Sequence, residues 1–226
     1  MDLDARNSPM FRGVSHRSMF IVALTLAPIM IVAAPGVTPR LVIAFYTLSI
    51  AALFGVSALY HRVPWSPRVR QTMQRLDHVA IFVAIGGTYT PVALFALSPW
   101  AAKLVLTLVW GGTAVGVFMR VRYTDVHKTL VALPYLVVGW CLMAVVADAW
   151  HHLGVAGFLL LLVGGLAYTA GALVFAFQRP DPWPATFGFH EVFHVLTVAG
   201  AALHYVAVAF VVLPICLLYT SDAADE

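Results

Sequence analysis

Charged side chains are scarce in this chain: Lys and Arg number 13 and Asp and Glu 10, which is 10% of the 226 residues. Hydrophobic residues make up 62%, which leaves too little polar surface for a water-soluble domain of this length. Repeated apolar runs of about 20 residues are instead typical of helices that cross a membrane. The composition therefore excludes a soluble domain and predicts an all-α membrane protein.

Cysteine is equally rare, since only Cys141 and Cys216 are present, and a disulfide framework is excluded. The net charge is only +3, and the basic residues lie at the ends of apolar runs. This placement argues against a nucleic-acid partner and suits orientation in a membrane. No clear cleavage site follows the first apolar run, Met19 to Ala34, so we expect it to remain as a helix and not to be a signal peptide.

Seven apolar runs predict a seven-transmembrane helix bundle, because short loops rich in proline, glycine or charge separate them. The runs cover residues 18–34, 40–61, 72–97, 100–120, 129–149, 154–177 and 187–213. We expect a cytoplasmic N-terminal segment at residues 1–17, followed by one membrane domain at residues 18–214.

The basic residues predict the orientation of this bundle. Eleven of the 13 Lys and Arg residues fall on one side of the predicted spans, and only Arg40 and Lys103 fall on the other. Since positive residues are enriched on the cytoplasmic side, the N-terminus is predicted to be cytoplasmic. After seven spans the C-terminus is predicted to lie outside.

The last eleven residues of the chain resemble an artificial sequence. The string CLLYTSDAADE, Cys216 to Glu226, matches the conceptual translation of a transposon-type sequencing adapter. We therefore interpret residues 215–226 as adapter read-through that is not native, and exclude them from functional reasoning.

Five polar residues inside the predicted spans carry the functional argument, because ionisable groups in a bilayer are costly. Ser57 and His61 are four residues apart and share one face of the second span. Asp77 lies in the first turns of the third span, and His190 and His194 are four apart on the seventh. The predicted orientation brings all five to one depth at the cytoplasmic end.

Three histidines with an open position form a ligand set typical of catalytic zinc. In this hypothesis His61, His190 and His194 bind the metal, Asp77 orients water or takes its proton, and Ser57 holds Asp77 or a ligand in place. Other ions that imidazole suits stay open as alternatives to zinc. The structural alternative is that these histidines are interface residues that pack the bundle.

The pattern H-E-x-x-H at His190 to His194 is also the motif of zinc proteases, in which the glutamate is the general base. No H-x-x-G-x-x-H continuation follows here. His204, fourteen residues past His190, would lie about 21 Å away along a straight helix, too far to bind the same ion. Glu191 either faces the site or pairs with a loop arginine such as Arg62.

Four motifs together resemble the hemolysin III family, which belongs with the progestin and adiponectin Q receptors and, more distantly, the alkaline ceramidases. They are S-A-L-Y-H at Ser57–His61, R-L-D-H-V-A-I-F at Arg75–Phe82, G-T-Y-T-P at Gly87–Pro91 and H-E-V-F-H at His190–His194. The resemblance implies a seven-helix bundle with zinc near the cytoplasmic leaflet. It maps the zinc ligands onto His61, His190 and His194, the water-holding carboxylate onto Asp77 and the serine onto Ser57.

The resemblance also implies several functions. One is intramembrane, zinc-dependent hydrolysis of lipid amides or esters, linked to membrane-lipid homeostasis in a bacterial inner membrane, with membrane lipids as partners. The alternatives are a zinc-stabilised sensor or receptor without catalysis, and a pore-forming, cytolytic protein. A wide pore in the monomer is disfavoured, because the spans carry few polar residues outside the proposed zinc cluster. The oligomeric state is not predicted.

Overall fold

The computed structural model describes residues 9–123 and 128–222, and their regular structure is helical. Arg6, which contributes to the charge bias, and tail residues 223–226 lie outside the described residues. The longer helices are α1 (Val14–Ala33), α2 (Val37–Arg62), α3 (Pro67–Ala96), α4 (Pro99–Arg122), α6 (Val146–Phe177) and α7 (Phe189–Ala207). The shorter ones are α5 (Lys128–Gly139), a 3₁₀ helix (Cys141–Val145), a π-helical turn (Val208–Val212) and α8 (Leu213–Asp222).

Among the described residues, six helical segments are long and apolar enough to cross a membrane. One of them, Ala132–Phe177, has 46 residues, which correspond to about 69 Å of helix, roughly twice the thickness of a bilayer core. Gly154 interrupts this segment with a φ of 64° and a ψ of 178°, a conformation that only glycine adopts easily. The break coincides with the predicted loop between the fifth and sixth apolar runs.

The outer surface of the bundle is apolar. Large hydrophobic side chains are strongly exposed on several helices, among them Val32, Val37, Phe177 and Phe210. A soluble protein rarely exposes so continuous an apolar surface. In a bilayer the same side chains contact lipid, and the helices satisfy their own backbone hydrogen bonds.

Small residues allow the central helices to approach closely. The side chain of Phe82 on α3, which is fully buried, fills the space beside Gly116 on α4. A Cβ atom built on Gly116 would lie 2.1 Å from the Phe82 ring. This contact fixes the spacing between α3 and α4, and close packing of this kind is a common source of helix association in membranes.

The segment before α1 docks on the loop before α7. The backbone amides of Met10 and Phe11 donate to the carbonyls of Ala185 and Thr186, at 3.3 and 3.1 Å. The Asp181 carboxylate accepts a 2.8 Å hydrogen bond from the Phe189 amide at the first residue of α7. These contacts place the first turns of α1 and α7 side by side at the end of the bundle where α2 finishes and α3 begins.

We expect Gly116→Ala to lower the melting temperature, because its methyl group would overlap a buried ring that has little room to move. Overpacking of this kind costs about 1–3 kcal/mol. Gly111→Ala on the same helix is the matched control, since a Cβ there meets nothing within 4 Å, and its effect should be neutral or slightly stabilising. Thermal unfolding of the detergent-purified proteins measures both changes, and equal melting temperatures would contradict the packing argument.

Candidate metal centre

Three histidines from two helices meet at one end of the bundle. His61 occupies the last turn of α2, and His190 and His194 lie one turn apart at the start of α7. One ring nitrogen of each lies within 4.8 Å of the others, so the group could hold a metal ion. The helical spacing that suggested this cluster is therefore matched by the three-dimensional arrangement.

The distances within the group suit a metal ligand set. Nε2 of His61 and Nε2 of His190 are 3.2 Å apart. Two nitrogens of a tetrahedral zinc site with Zn–N bonds of about 2.0–2.1 Å stand about 3.3–3.4 Å apart. His194 is 1% exposed, and its Nδ1 has no hydrogen-bond partner. The pair His61 and His190 thus matches the spacing of tetrahedral zinc ligands, and a ring nitrogen of His194 lies within 4.8 Å of both.

Asp77 and Ser57 lie beside this group and are not members of it. Ser57 is buried one turn before His61, and its hydroxyl hydrogen-bonds the Asp77 carboxylate. Both residues line the same cavity as the three histidines. The arrangement therefore leaves Asp77 facing the cavity, with Ser57 fixing its orientation.

Glu191 has a structural role in this arrangement. One carboxylate oxygen pairs with Nε of Arg12 at 2.5 Å, and the other accepts a 2.8 Å hydrogen bond from the Gly188 amide. The side chain is 2% exposed, so this ion pair is largely removed from solvent. The glutamate thus caps its own helix and holds the N-terminal segment. Its partner is Arg12, and not the loop residue Arg62 that sequence reasoning suggested.

His16 is a fourth histidine at the site that sequence reasoning missed. Its ring stacks on that of His194, with ring centroids 3.7 Å apart and planes 12° from parallel, and its edge meets Phe54. It is the only histidine of the predicted N-terminal segment, residues 1–17, and lies two residues before the first apolar run, so no helical spacing marked it. Its position near the cytoplasmic end of the first span was the one available signal.

Two further histidines fall outside the metal group. His78, next to Asp77, hydrogen-bonds the Arg120 guanidinium on α4 through Nδ1. His204 lies deeper in the bundle, where Nε2 bonds the Leu161 carbonyl at 3.0 Å. His204 also lines the cavity.

A cavity of about 1210 Å³ connects these groups. At one end it reaches the loop between α2 and α3, where Val63, Pro64 and Trp65 line it. At the other end it reaches Trp140 and His204. Much of the wall between them is apolar and is contributed by residues such as Leu53, Ile81, Ile85, Leu136 and Phe193.

An apolar helical bundle with a three-histidine group next to a cavity defines a class: integral membrane proteins with a candidate metal centre. The sequence model of the family described as "Haemolysin-III related" matches residues 5–205. The chain belongs to this family, and the resemblance inferred from the motifs is confirmed.

Known relatives come from bacteria, animals and plants. The chain is 29% identical to "Hemolysin-3" of Bacillus cereus over 205 residues, which cover 89% of this chain and 90% of that protein. It is 28% identical to "Hemolysin-3 homolog" of Bacillus subtilis (strain 168), over 73% of this chain and 74% of the relative. The human "Monocyte to macrophage differentiation factor" is 27% identical, over 72% of this chain and 67% of that protein.

We expect Arg12→Gln to destabilise the protein and to leave the three-histidine group complete. The substitution leaves the Glu191 carboxylate buried with only the Gly188 amide as a partner, which costs on the order of 3 kcal/mol. Arg17→Gln, an exposed position five residues along the same segment, is the matched control. Denaturant or thermal unfolding in detergent measures the difference, and identical stability of the two variants would contradict a structural role for the ion pair.

Proposed function

We propose that this protein is an intramembrane, zinc-dependent hydrolase of lipid amides or esters, resembling the ceramidases, in the inner membrane of a bacterium. We link it to membrane-lipid homeostasis. The observation that carries the proposal is the three-histidine group placed in the wall of a large cavity, beside a carboxylate that is not one of its members. A purely structural metal site would not need such a cavity.

Each residue of the site has its own role in the proposed hydrolysis. His61, His190 and His194 would hold zinc, which would supply Lewis acidity to polarise a carbonyl group and to lower the pKa of water. Asp77 orients the attacking water and accepts its proton. Ser57 keeps the Asp77 carboxylate directed into the cavity by its hydrogen bond, a supporting role of the kind that metal sites commonly require.

The cavity supports a lipid as the substrate. Its volume exceeds the roughly 300–1000 Å³ of pockets that enclose drug-sized molecules, and its apolar wall suits an acyl chain. The polar head would lie at the end with the histidines and Asp77, where the cavity also meets the exposed loop between α2 and α3. Such a placement would bring the head-group carbonyl close to the three histidines.

We also propose seven membrane crossings, with the N-terminus in the cytoplasm and the C-terminus outside. The length of the segment Ala132–Phe177 and its break at Gly154 support two crossings within it. The packing of α5 against α6 supports an antiparallel pair. The charge bias of the loops supports the orientation.

Cysteine labelling tests the number of crossings. Tyr123→Cys and Pro182→Cys flank the segment in question, and each is made in a protein whose Cys141 and Cys216 are replaced by serine. With two crossings between them, both positions should react with a membrane-impermeant maleimide only in inverted vesicles. With one crossing they would react from opposite sides, which would contradict the seven-span arrangement. His151→Cys, next to the break, should react only in intact spheroplasts.

Metal content tests the site, and hydrolysis tests the function. We expect about one zinc ion per chain of the detergent-purified protein, lost in His61→Ala and in His190→Ala/His194→Ala. His151→Ala, on the far side of the bundle, is the matched control and should retain the metal. Asp77→Asn should also retain it, but should slow the release of fatty acid from ceramide by about 10²- to 10⁴-fold, the usual contribution of a general base.

The outcomes separate the competing functions. Absence of stoichiometric metal in the unmutated protein would contradict the metalloenzyme hypothesis. The histidines would then be residues that pack the bundle. Metal without turnover of ceramide or of ester lipids would favour the sensor. If the Asp77→Asn variant hydrolyses ceramide at the rate of the unmutated protein, Asp77 is not the general base.

A further inference from the structure

The charged side chains that line the cavity are mostly of one sign. Among the described residues, three arginines and one carboxylate belong to the lining: Arg12, Arg62, Arg70 and Asp77. Arg12 is paired with Glu191, which is not part of the lining. The excess of positive charge facing the cavity therefore comes from Arg62 and Arg70.

These two arginines lie at the same end of the cavity as the three-histidine group. Arg62 is the last residue of α2 and directly follows His61, and Arg70 lies in the first turns of α3. The guanidinium carbon of Arg70 is 5.3 Å from the centroid of the Tyr60 ring, a contact that favours one orientation of the guanidinium group. Arg70 also interacts electrostatically with His61.

Orientation in the membrane does not by itself explain why these arginines line a cavity. The positive-inside rule asks only that basic residues lie near the cytoplasmic ends of the helices. Arg68 and Arg75 on α3 meet that requirement equally well, and they are exposed and do not line the cavity. The position of Arg62 and Arg70 on the cavity wall therefore has a separate reason.

The direction of a bound lipid follows from one face of α3. Arg70, Gln74, Asp77 and Ile81 recur at helical spacing and all line the cavity. Arg70 precedes Asp77 by seven residues, which is about 10 Å along the helix axis. A lipid with its carbonyl at Asp77 and its acyl chain along the apolar wall at Ile81 would therefore direct the rest of its head towards the arginines.

We propose that the lipid in the cavity carries an anionic group, a carboxylate or a phosphate, on the side of its carbonyl opposite the acyl chain, and that Arg62 and Arg70 bind this group. The inference rests on the proposed function for the lipid, and it adds a negative charge that ceramide lacks. A guanidinium group presents its N–H donors in a planar fork that matches the oxygens of carboxylate and phosphate. A neutral head would leave both forks to water.

Two matched probes test the charge preference. They are a pyrene-labelled long-chain keto acid, with three methylene groups between ketone and carboxylate, and its primary amide, which has the same shape without the charge. The ketone stands in for the scissile carbonyl and cannot be hydrolysed, so fluorescence reports binding alone. In nonionic detergent the unmutated protein should bind the acid about tenfold more tightly than the amide, the effect of one charge-assisted hydrogen bond.

Two double variants that remove equal charge separate the cavity from the surface. Arg62→Gln/Arg70→Gln should bind both probes with the affinity of the amide, and unchanged binding of the amide would show that the cavity is intact. Arg68→Gln/Arg75→Gln is the matched control and should keep the tenfold preference. Arg62→Gln alone repeats the test, with a smaller loss of preference expected, if the double variant does not fold.

Salt gives a second readout that a packing role of the arginines would not produce. Raising sodium chloride from about 0.05 to 0.5 M should lower the preference of the unmutated protein for the acid, because the mouth of the cavity is open to solvent ions that screen its charges. The affinity for the amide should change equally in the unmutated protein and in Arg62→Gln/Arg70→Gln.

Three results would overturn the inference. Equal binding of the two probes by the unmutated protein is the first. The second is an unchanged preference in Arg62→Gln/Arg70→Gln, which would assign the carboxylate to the histidines or their metal. The third is an equal loss in both double variants, which would make the preference an effect of surface charge. Failure to bind either probe would also overturn the lipid ligand, whereas equal binding would leave the proposed hydrolase standing.

Discussion

The cost of placing polar groups in hydrocarbon is the constraint on which the rest of this structure depends. Each ionisable side chain inside the bundle must face another polar group, a ligand or the cavity. Arg12 faces Glu191, Arg120 faces His78, and Ser57 faces Asp77. Apolar side chains are left to cover the outside, where lipid surrounds them. The cluster of polar groups at one end of the bundle is thus a consequence of solvation as well as a candidate for chemistry.

The same end of the bundle is also held together by backbone contacts. The segment before α1 pairs with the loop before α7, and the ion pair between Arg12 and Glu191 lies just beyond it. One turn further along each helix, the rings of His16 and His194 stack. The contacts that hold α7 in place therefore also orient His194, and the glutamate of the apparent protease motif takes part in them.

Much of the site could be predicted from helical periodicity and from the predicted depth of each residue in the membrane. His190 and His194 lie four residues apart, so they share a face of one helix, and the charge bias brought His61 to the same level. Periodicity gives no information on which helices touch. The stack of His16 on His194 and the partner of Glu191 could therefore be identified only from the three-dimensional structure. The positions of the helices were also predictable, and the break at Gly154 directly follows residues 150–153, the gap between the fifth and sixth apolar runs. The read-through interpretation of residues 215–226 stays a prediction.

The pairing of the first and last long helices has a consequence for biosynthesis. Arg12 and Glu191 are 179 residues apart in sequence, so a ribosome completes most of the chain before this ion pair can form. His16 and His61 enter the membrane early, and they meet His190 and His194 only when the final long helix is inserted. The candidate metal centre can therefore be completed only after α7 is made, and a nascent chain that stops before α7 lacks two of its three histidines.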